Sequence, residues 1–229
     1  MPPTYVDSFT RPFTLAPERT ALVVVDMQYA SGSREHGLGR LLASQGKLDS
    51  ARERFDRIDQ VIIPNTRRLL TTFRGLGAEV IYVTLGPAKP DYSDAPIHLR
   101  AWFEATGNHL GTKEHEIVAE LAPEPGELVL RKTTIGAFAS TEIESALRGL
   151  GISDIVVTGV STNNCVGMTA MEAADRQFGV VLAADATGTC SEAMQNATLD
   201  TFRRLWGRVL TCDEIIAELE SGSQVRDSA

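Results

Sequence analysis

The sequence has no long apolar run, few cysteines and a shortage of basic charge. No stretch approaches the roughly 18 apolar residues of a membrane helix, and the first residues lack the basic start and apolar core of a signal peptide. The three cysteines have no paired spacing, which argues against a disulfide framework and favours a reducing cytoplasm. A net charge of −8 argues against nucleic-acid binding. We therefore expect a cytoplasmic protein whose partners include neither a membrane nor a nucleic acid.

What the sequence does contain suits one well-filled domain. Its 229 residues are enough for one α/β domain and few for two. Residues 1–17 hold four prolines, so we expect an arm laid on the body or on a neighbouring subunit. Residues 18–220 form the predicted domain, and residues 221–229 the predicted flexible tail.

Six short, nearly continuous apolar runs predict the strands of a sheet. They are rich in β-branched residues, which is typical of parallel strands buried on both faces. Helical stretches lie between most of them, and Ser140 with Ile143 and Leu147 predicts one capped, amphipathic helix. The predicted fold is a single-domain, doubly wound, six-stranded and mostly parallel sheet with helices on both faces. The runs are 21–27, 78–84, 127–132, 154–160, 180–186 and 208–211.

Two stretches break the alternation of strands and helices. Residues 29–63 follow the first run and residues 85–126 follow the second. Open α/β sheets bind ligands beyond the carboxyl ends of their strands. We therefore interpret both stretches as loops or lids that shape a substrate site.

Reactive side chains collect at that same predicted edge. Asp26 ends the first run, Lys132 ends the third, and Cys165 follows the fourth where a helix should begin. Each has an ordinary structural explanation on its own, and we assign Asp185 at the end of the fifth run to backbone hydrogen bonding. Together they supply a base, a cation and a nucleophile. A helix start and a nearby ammonium would both favour a thiolate.

The segments VVVDMQ, KTTIGAF and GVSTNNCV, each behind a predicted strand, resemble the isochorismatase-like cysteine hydrolases over about residues 18–212. That resemblance implies a Rossmann-like fold in which Asp26 is the base, Lys132 the activating cation and Cys165 the nucleophile. It implies cleavage of a C–N bond in a small amide, ureide or carbamoyl compound through a thioester, with release of an amine or ammonia. It also implies no cofactor and a homodimer or homotetramer.

The resemblance further implies a cis peptide bond between Val160 and Ser161. In such proteins this loop aims backbone N–H groups at a developing oxyanion, and the matching positions here are Ser161 and Cys165.

Other positions bear on the substrate. The four histidines lack a paired ligand spacing, so we expect no metal, unlike the nicotinamidases that the family includes. Isochorismatase itself lacks the nucleophilic cysteine, so Cys165 favours amide over vinyl-ether cleavage. Ureide-cleaving members carry a glutamine before the last strand, where Trp206 stands here. We predict that Tyr29, Asn164 and Trp206 contact substrate, while Asn164 as a helix cap and Trp206 as core packing stay open.

Four other functions are alternatives for a chain of this kind. A nucleotide-binding oxidoreductase would need a G-x-G-x-x-G turn after a strand, and no predicted strand has one. A thiol redox protein would need a resolving cysteine, and none lies close to Cys165 in sequence. A family member without catalysis, serving as a binding or assembly protein, and a vinyl-ether hydrolase are the remaining alternatives.

Overall fold

A computed structural model describes residues 9–227 of the chain, and side chains as far as Gly222. Six strands form one sheet in the order β3-β2-β1-β4-β5-β6, and all five neighbouring pairs are parallel. Each strand overlaps one of the six predicted apolar runs, so the predicted doubly wound α/β fold is confirmed. The strands are β1 (Thr20–Val25), β2 (Glu79–Leu85), β3 (Leu128–Lys132), β4 (Asp154–Val160), β5 (Gly179–Gly188) and β6 (Arg208–Leu210).

Helices cover both faces of this sheet. Beyond them, short 3-10 turns occur at Pro17–Arg19, Leu48–Ala51, Lys113–His115 and Ala119–Leu121, and π-helical turns at Ile58–Ile62 and Thr162–Val166. The helices are α1 (Tyr29–Gly32), α2 (Gly37–Ser44), α3 (Arg52–Arg57), α4 (Ile63–Gly75), α5 (Ile97–Thr106), α6 (Ile143–Gly149), α7 (Gly167–Asp175), α8 (Glu192–Arg203) and α9 (Cys212–Asp227).

Alternate residues of each central strand enter two separate cores. On β1, Val23 and Val25 face the core that α5, α6, α7 and α8 cover, whereas Leu22 and Val24 face the core under α3, α4 and α9. Every residue of β1 is buried, which explains why its sequence is continuously apolar rather than alternating. None of the helices in the described part of the chain is long and apolar enough to cross a membrane.

The two ends of the chain lie against the body where they are described. Leu15 is buried, and its backbone N–H donates to Glu218 on α9. Arg208 on β6 donates to the Phe13 carbonyl. Phe13 and Leu15 of the predicted arm therefore bind to the chain's own last strand and helix, while its residues 1–8 lie outside the described residues. The predicted tail from residue 221 begins inside α9, and residues 228 and 229 lie outside the described residues.

Candidate active site

A buried ion pair lies at the carboxyl edge of the sheet. Lys132 Nζ is 2.9 Å from Asp26 Oδ2, and both side chains are almost completely shielded from solvent. Asp26 directly follows β1 and Lys132 ends β3, on the far side of β2. Burial raises the pKa of Asp26, against the opposing effect of Lys132. Burial lowers the pKa of Lys132, but Asp26 and Cys165 more than offset this and leave that pKa above its ordinary value. The two groups therefore stabilise each other as charges in a desolvated place.

Cys165 completes the cluster from the β4 side. Its thiol lies close enough to Asp26 and Lys132 for both groups to shift the thiol pKa. Cys165 lies at a helix start, as predicted: Asn164 departs from helical geometry, and the helical backbone runs from Cys165 into α7. The expectation that this sulfur rests as a thiolate is wrong. Burial and Asp26 raise the pKa of the thiol, although Lys132 opposes them. The resting sulfur is therefore a thiol next to a carboxylate that can accept its proton.

Asp26 follows β1 and Cys165 follows β4, so the close approach of these two strands brings the carboxylate and the thiol together. Val25 pairs with Gly159 in register, and a Cβ on Gly159 would lie 2.0 Å from the Val25 carbonyl oxygen. Gly159 has φ of 108°, so only glycine suits this position. Asp26, with φ of 52°, turns the chain out of the strand. The peptide bond at the end of β4, between Val160 and Ser161, is cis, as predicted.

Buried hydrogen bonds hold the loop that carries Cys165. Thr162 Oγ1 donates to Gln195 Oε1 at 2.6 Å, and Gln195 Nε2 donates in turn to Thr187 Oγ1 at 3.1 Å. All three residues are buried. Side chains of β5 and α8 thus fix the start of the turn behind the thiol, and this arrangement is fully satisfied.

A second set of bonds holds the loop behind Lys132. Lys132 Nζ donates to the Thr134 carbonyl at 3.1 Å, and Phe138 N–H donates to Glu172 on α7 at 3.0 Å. Ser140 was predicted to cap α6, and that prediction is wrong. Its Oγ instead accepts from the backbone N–H groups of Thr133 and Thr134, because α6 begins later, at Ile143. Ser140 therefore stabilises the lysine loop rather than the helix.

A cavity of about 270 Å³ opens above these side chains. Both predicted lid-like stretches contribute to it, as expected: Ser31, Leu38 and Arg54 come from residues 29–63, and Leu99 and Trp102 from residues 85–126. The cavity is small beside the roughly 300–1,000 Å³ of many ligand pockets, which suits a small substrate. Its lining residues are Asp26, Gln28, Ser31, Leu38, Arg54, Leu85, Leu99, Trp102, Ile135, Val160, Ser161, Asn164, Cys165 and Cys190.

The structure brings only some of the predicted site residues to this cavity. Asp26, Cys165, Ser161 and Asn164 line it, and the Asn164 side chain caps no helix. Tyr29 does not line it. That ring packs on His36 and under the Lys113 ammonium, because α1 turns away from β1 directly after Gln28.

Trp206 also lies away from the cavity. It lines a separate groove with Phe13, Gly179 and Val180, at the amino ends of the last two strands. It stands directly before β6, so it lies at the opposite edge of the sheet from Asp26. Its predicted place as a wall of the substrate site is therefore wrong, and the alternative of packing against the core is what the structure has.

Arg54 and Cys190 line the cavity with a charge and a thiol that the sequence did not predict there. Arg54 on α3 sits in a charge-rich insertion where nothing distinguishes it from its exposed neighbours. Cys190 follows β5 and reaches the same cavity as Cys165, although 25 positions separate them in sequence. Asp185, by contrast, accepts the Cys212 backbone N–H at 2.8 Å, as predicted.

The described histidines lie apart from the cavity. His115 is buried among Gln28, Thr84 and Asn108, and burial lowers its pKa to about 4, so the ring is neutral. Within residues 9–227 no group of three or more His, Cys, Asp or Glu side chains is arranged to hold a metal ion.

A thiol, a carboxylate and an ammonium, buried together at the carboxyl edge of a doubly wound sheet, define an α/β protein with a thiol-based candidate active site. The family model for the Isochorismatase domain matches residues 20–214. The chain therefore belongs to the isochorismatase family of hydrolases.

Curated relatives and solved structures agree with this placement. The chain is similar to the ureidoacrylate amidohydrolase RutB of Variovorax paradoxus, with 32% identity over 90% of this chain and 83% of the relative. It is 35% identical to that of Pseudomonas syringae pv. syringae, over 89% of this chain and 84% of the relative. Among structures, a cysteine hydrolase from Pseudomonas syringae pv. phaseolicola has a TM-score of 0.77 and 24% identity, covering 92% of this chain and 97% of that one. The N-carbamoylsarcosine amidase of Thermoplasma acidophilum has a TM-score of 0.64 and 28% identity, covering 86% and 98%.

Proposed function

We propose that the protein is an amidohydrolase that cleaves a C–N bond of a small amide, ureide or carbamoyl compound through a thioester on Cys165. The single observation that carries this proposal is the placement of the Cys165 thiol beside the buried Asp26–Lys132 pair, in the cavity that Asp26 also lines. Two groups of relatives support the bond type, since they are called ureidoacrylate amidohydrolase and N-carbamoylsarcosine amidase.

The first half of the proposed cycle forms the thioester. Asp26 accepts the thiol proton as the sulfur attacks the substrate carbonyl, and Lys132 stabilises the negative charge that develops on the sulfur. Backbone N–H groups of Ser161 and Cys165 hold the oxyanion. Asp26 then gives the proton to the departing nitrogen, and an amine or ammonia leaves.

The second half regenerates the thiol. Asp26 takes a proton from a water molecule, the resulting hydroxide attacks the thioester, and the C–S bond breaks. The proton returns to the sulfur, so atoms and charge balance without a cofactor or a metal. The product is a carboxylic acid, or a carbamate when the substrate is a ureide.

An ammonia-release screen over primary amides, ureides and carbamoyl compounds tests this proposal. We expect release with at least one class, and intact-protein mass spectrometry after an acid quench should detect an acyl adduct on the Cys165 peptide. A chelator should leave the rate unchanged. Turnover without any adduct, persisting when Cys165 is replaced by alanine, would contradict the thioester route. Turnover of a vinyl ether alone would favour the alternative hydrolase.

We also propose a homodimer or homotetramer in the cytoplasm, as the family resemblance implies. Light scattering coupled to size exclusion tests the assembly: a mass near the 24.8 kDa of one chain would contradict it.

A further inference from the structure

Helix α7 connects the thiol to the loop of residues 133–138 behind Lys132, here called the lysine loop. The helix continues the helical backbone that starts at the thiol-bearing residue. Two of its side chains, one turn apart, accept consecutive backbone N–H groups of the loop. Thr169 Oγ1 accepts from Ala137 at 3.1 Å, and a carboxylate oxygen accepts from the following residue. The thiol and the lysine loop are therefore held by one helix.

The second acceptor is Glu172, and Gly136 leaves the space that its carboxylate fills. Glu172 Oε2 accepts from the Phe138 N–H at 3.0 Å. A Cβ at Gly136 would lie 2.2 Å from Glu172 Oε2 and 2.6 Å from Oε1, so a side chain there would displace the carboxylate. The φ of Gly136 lies outside the left-handed region, so the backbone does not itself require glycine. The contact with the carboxylate is the structural reason for glycine at this position.

The charge of Glu172 serves the lysine loop rather than a surface ion pair. Arg176, one turn further along the chain, pairs with Glu144 at 3.1 Å and donates to the backbone carbonyl of Glu172 at 2.9 Å. Within residues 9–222 no salt bridge includes Glu172. Hydrogen bonds to an ionised acceptor are roughly twice as strong as neutral ones. The half-buried carboxylate of Glu172 therefore makes a strong bond to a loop that carries no charge of its own.

The lysine loop in turn holds the ammonium. The Thr134 carbonyl accepts from Lys132 Nζ at 3.1 Å, and Thr134 Oγ1 donates to the Gly136 carbonyl at 2.8 Å. Ile135, between them, lines the cavity. Burial raises the pKa of Cys165, and Lys132 opposes this rise. Displacement of the ammonium would therefore make the thiolate rarer.

We propose that Glu172 is a positioning residue, which holds the lysine loop against α7 and so fixes the Lys132 ammonium relative to the Cys165 thiol. This inference rests on the proposed function, because it assumes that Lys132 activates the thiol. Glu172 does not line the cavity, and it acts only through the lysine loop.

The rate at which iodoacetamide alkylates Cys165 tests this inference without knowledge of the substrate. The sulfur displaces iodide, so a C–S bond forms as the C–I bond breaks, and the thiol proton passes to the buffer. Mass spectrometry of the Cys165 peptide measures the rate. Glu172→Ala should lower this rate about 10-fold at neutral pH, because the thiolate fraction falls when the ammonium is displaced. An unchanged or faster rate would overturn the proposal.

Conservative and control variants sharpen this measurement. Glu172→Gln keeps an oxygen that can accept the Phe138 N–H, so it should retain most of the wild-type rate. A loss as large as that in Glu172→Ala would contradict the hydrogen-bonding role. Asp175→Ala is the matched control, because Asp175 is an exposed carboxylate on the same helix. Its rate should equal that of the wild type, and a 10-fold loss there would mean that any change in α7 has this effect.

Gly136→Ala reaches the same contact from the other side. The added Cβ should displace the carboxylate and lower the alkylation rate about as much as Glu172→Ala does. In the Glu172→Ala background the space is free, so the same substitution should have no further effect. Two losses that multiply in the double variant would contradict the proposal, because the glycine and the carboxylate would then act independently.

Dependence on Lys132 separates positioning from general support of the fold. Lys132→Met should itself slow alkylation, and Glu172→Ala should then cost little more, because the ammonium to be positioned is gone. An equal loss with and without Lys132 would overturn the inference alone. Failure of the proposed function looks different, since Lys132→Met would then leave the rate at Cys165 unchanged. If Lys132→Met does not fold, rescue by Glu172→Gln and the two backgrounds of Gly136→Ala decide the question.

Discussion

The two sides of the active-site cavity are built in different ways. The floor consists of Asp26, Lys132 and Cys165, which stand at or just beyond the ends of buried parallel strands. The walls come from the two long stretches that follow β1 and β2, and they contribute Arg54, Leu99 and Trp102. Under the proposed function, the floor carries the bond-breaking chemistry and the walls select the substrate. The two roles then fall to separate parts of the chain.

Removing the thiol should be the largest single effect on the floor. Cys165→Ala is expected to lower ammonia release at least about 10⁴-fold, because no other group can form the thioester. Thermal unfolding should be nearly unchanged, since the substitution removes one sulfur atom. Cys212→Ala, another buried cysteine far from the cavity, is the control and should retain activity. Full activity in Cys165→Ala would contradict the assignment of the bond-breaking chemistry to the floor residues.

Breaking the buried ion pair should weaken the fold itself. Lys132→Met is expected to lower the free energy of unfolding by about 3–5 kcal/mol, because it leaves a buried Asp26 carboxylate without a partner. Urea denaturation measures this change. Arg148→Met, which breaks an exposed pair with Glu144, should cost less than about 1 kcal/mol. Equal losses of unfolding free energy in the two variants would show that the buried pair stabilises the fold no more than an exposed pair does.

Acid should loosen the second wall stretch through His115. Its pKa falls from 6.5 in the unfolded chain to about 4 in the folded one, chiefly because the ring is buried. The unfolded state therefore binds the proton first, so this contribution to stability is present above pH 6.5 and is lost as the pH falls towards 4. The expected loss is about 3 kcal/mol.

Urea midpoints at pH 7 and pH 4.5, in wild type and in His115→Asn, measure that loss. The variant should lose less stability on acidification than the wild type, although it starts less stable. Parallel losses in both proteins would exclude His115 as the cause.

The smallest effect is expected in the wall helix α5. Trp102→Ala should raise KM about 10-fold, through lost apolar contact worth about 1.4 kcal/mol, with a smaller effect on kcat. Ile97 lies on the same helix and is 90% exposed, so Ile97→Ala should leave both constants unchanged. A fall in kcat as large as in Cys165→Ala would place Trp102 with the floor rather than the walls.

The same division decided what the sequence could predict. The six strands were visible because buried parallel strands are continuously apolar, and their ends then located Asp26, Lys132 and Cys165 at one edge. The parallel direction of the strands was sufficient to predict that these three residues lie at the same edge of the sheet.

The walls gave no such signal. Arg54 and Cys190 reach the cavity through the paths of α3 and of the segment after β5, which leave no local pattern in sequence. The family resemblance, rather than any local pattern, predicts Tyr29 and Trp206 in the cavity. Tyr29 fails because α1 turns away, and Trp206 because it precedes its strand rather than follows it. Ser140 was misassigned because a loop N–H competes with a helix N–H for the same hydroxyl oxygen.

The contact between Gly159 and the Val25 carbonyl constrains both protein engineering and evolution. No side chain fits between Gly159 and the Val25 carbonyl. A change in either strand therefore requires a matching change in the other, and β1 and β4 must be transferred or redesigned together with Asp26 and Cys165. The segments after β1 and β2 instead contact each other through side chains, as in the Arg40–Glu114 pair at 2.9 Å. New specificities should therefore arise by exchanging those two segments together over an unchanged two-strand module.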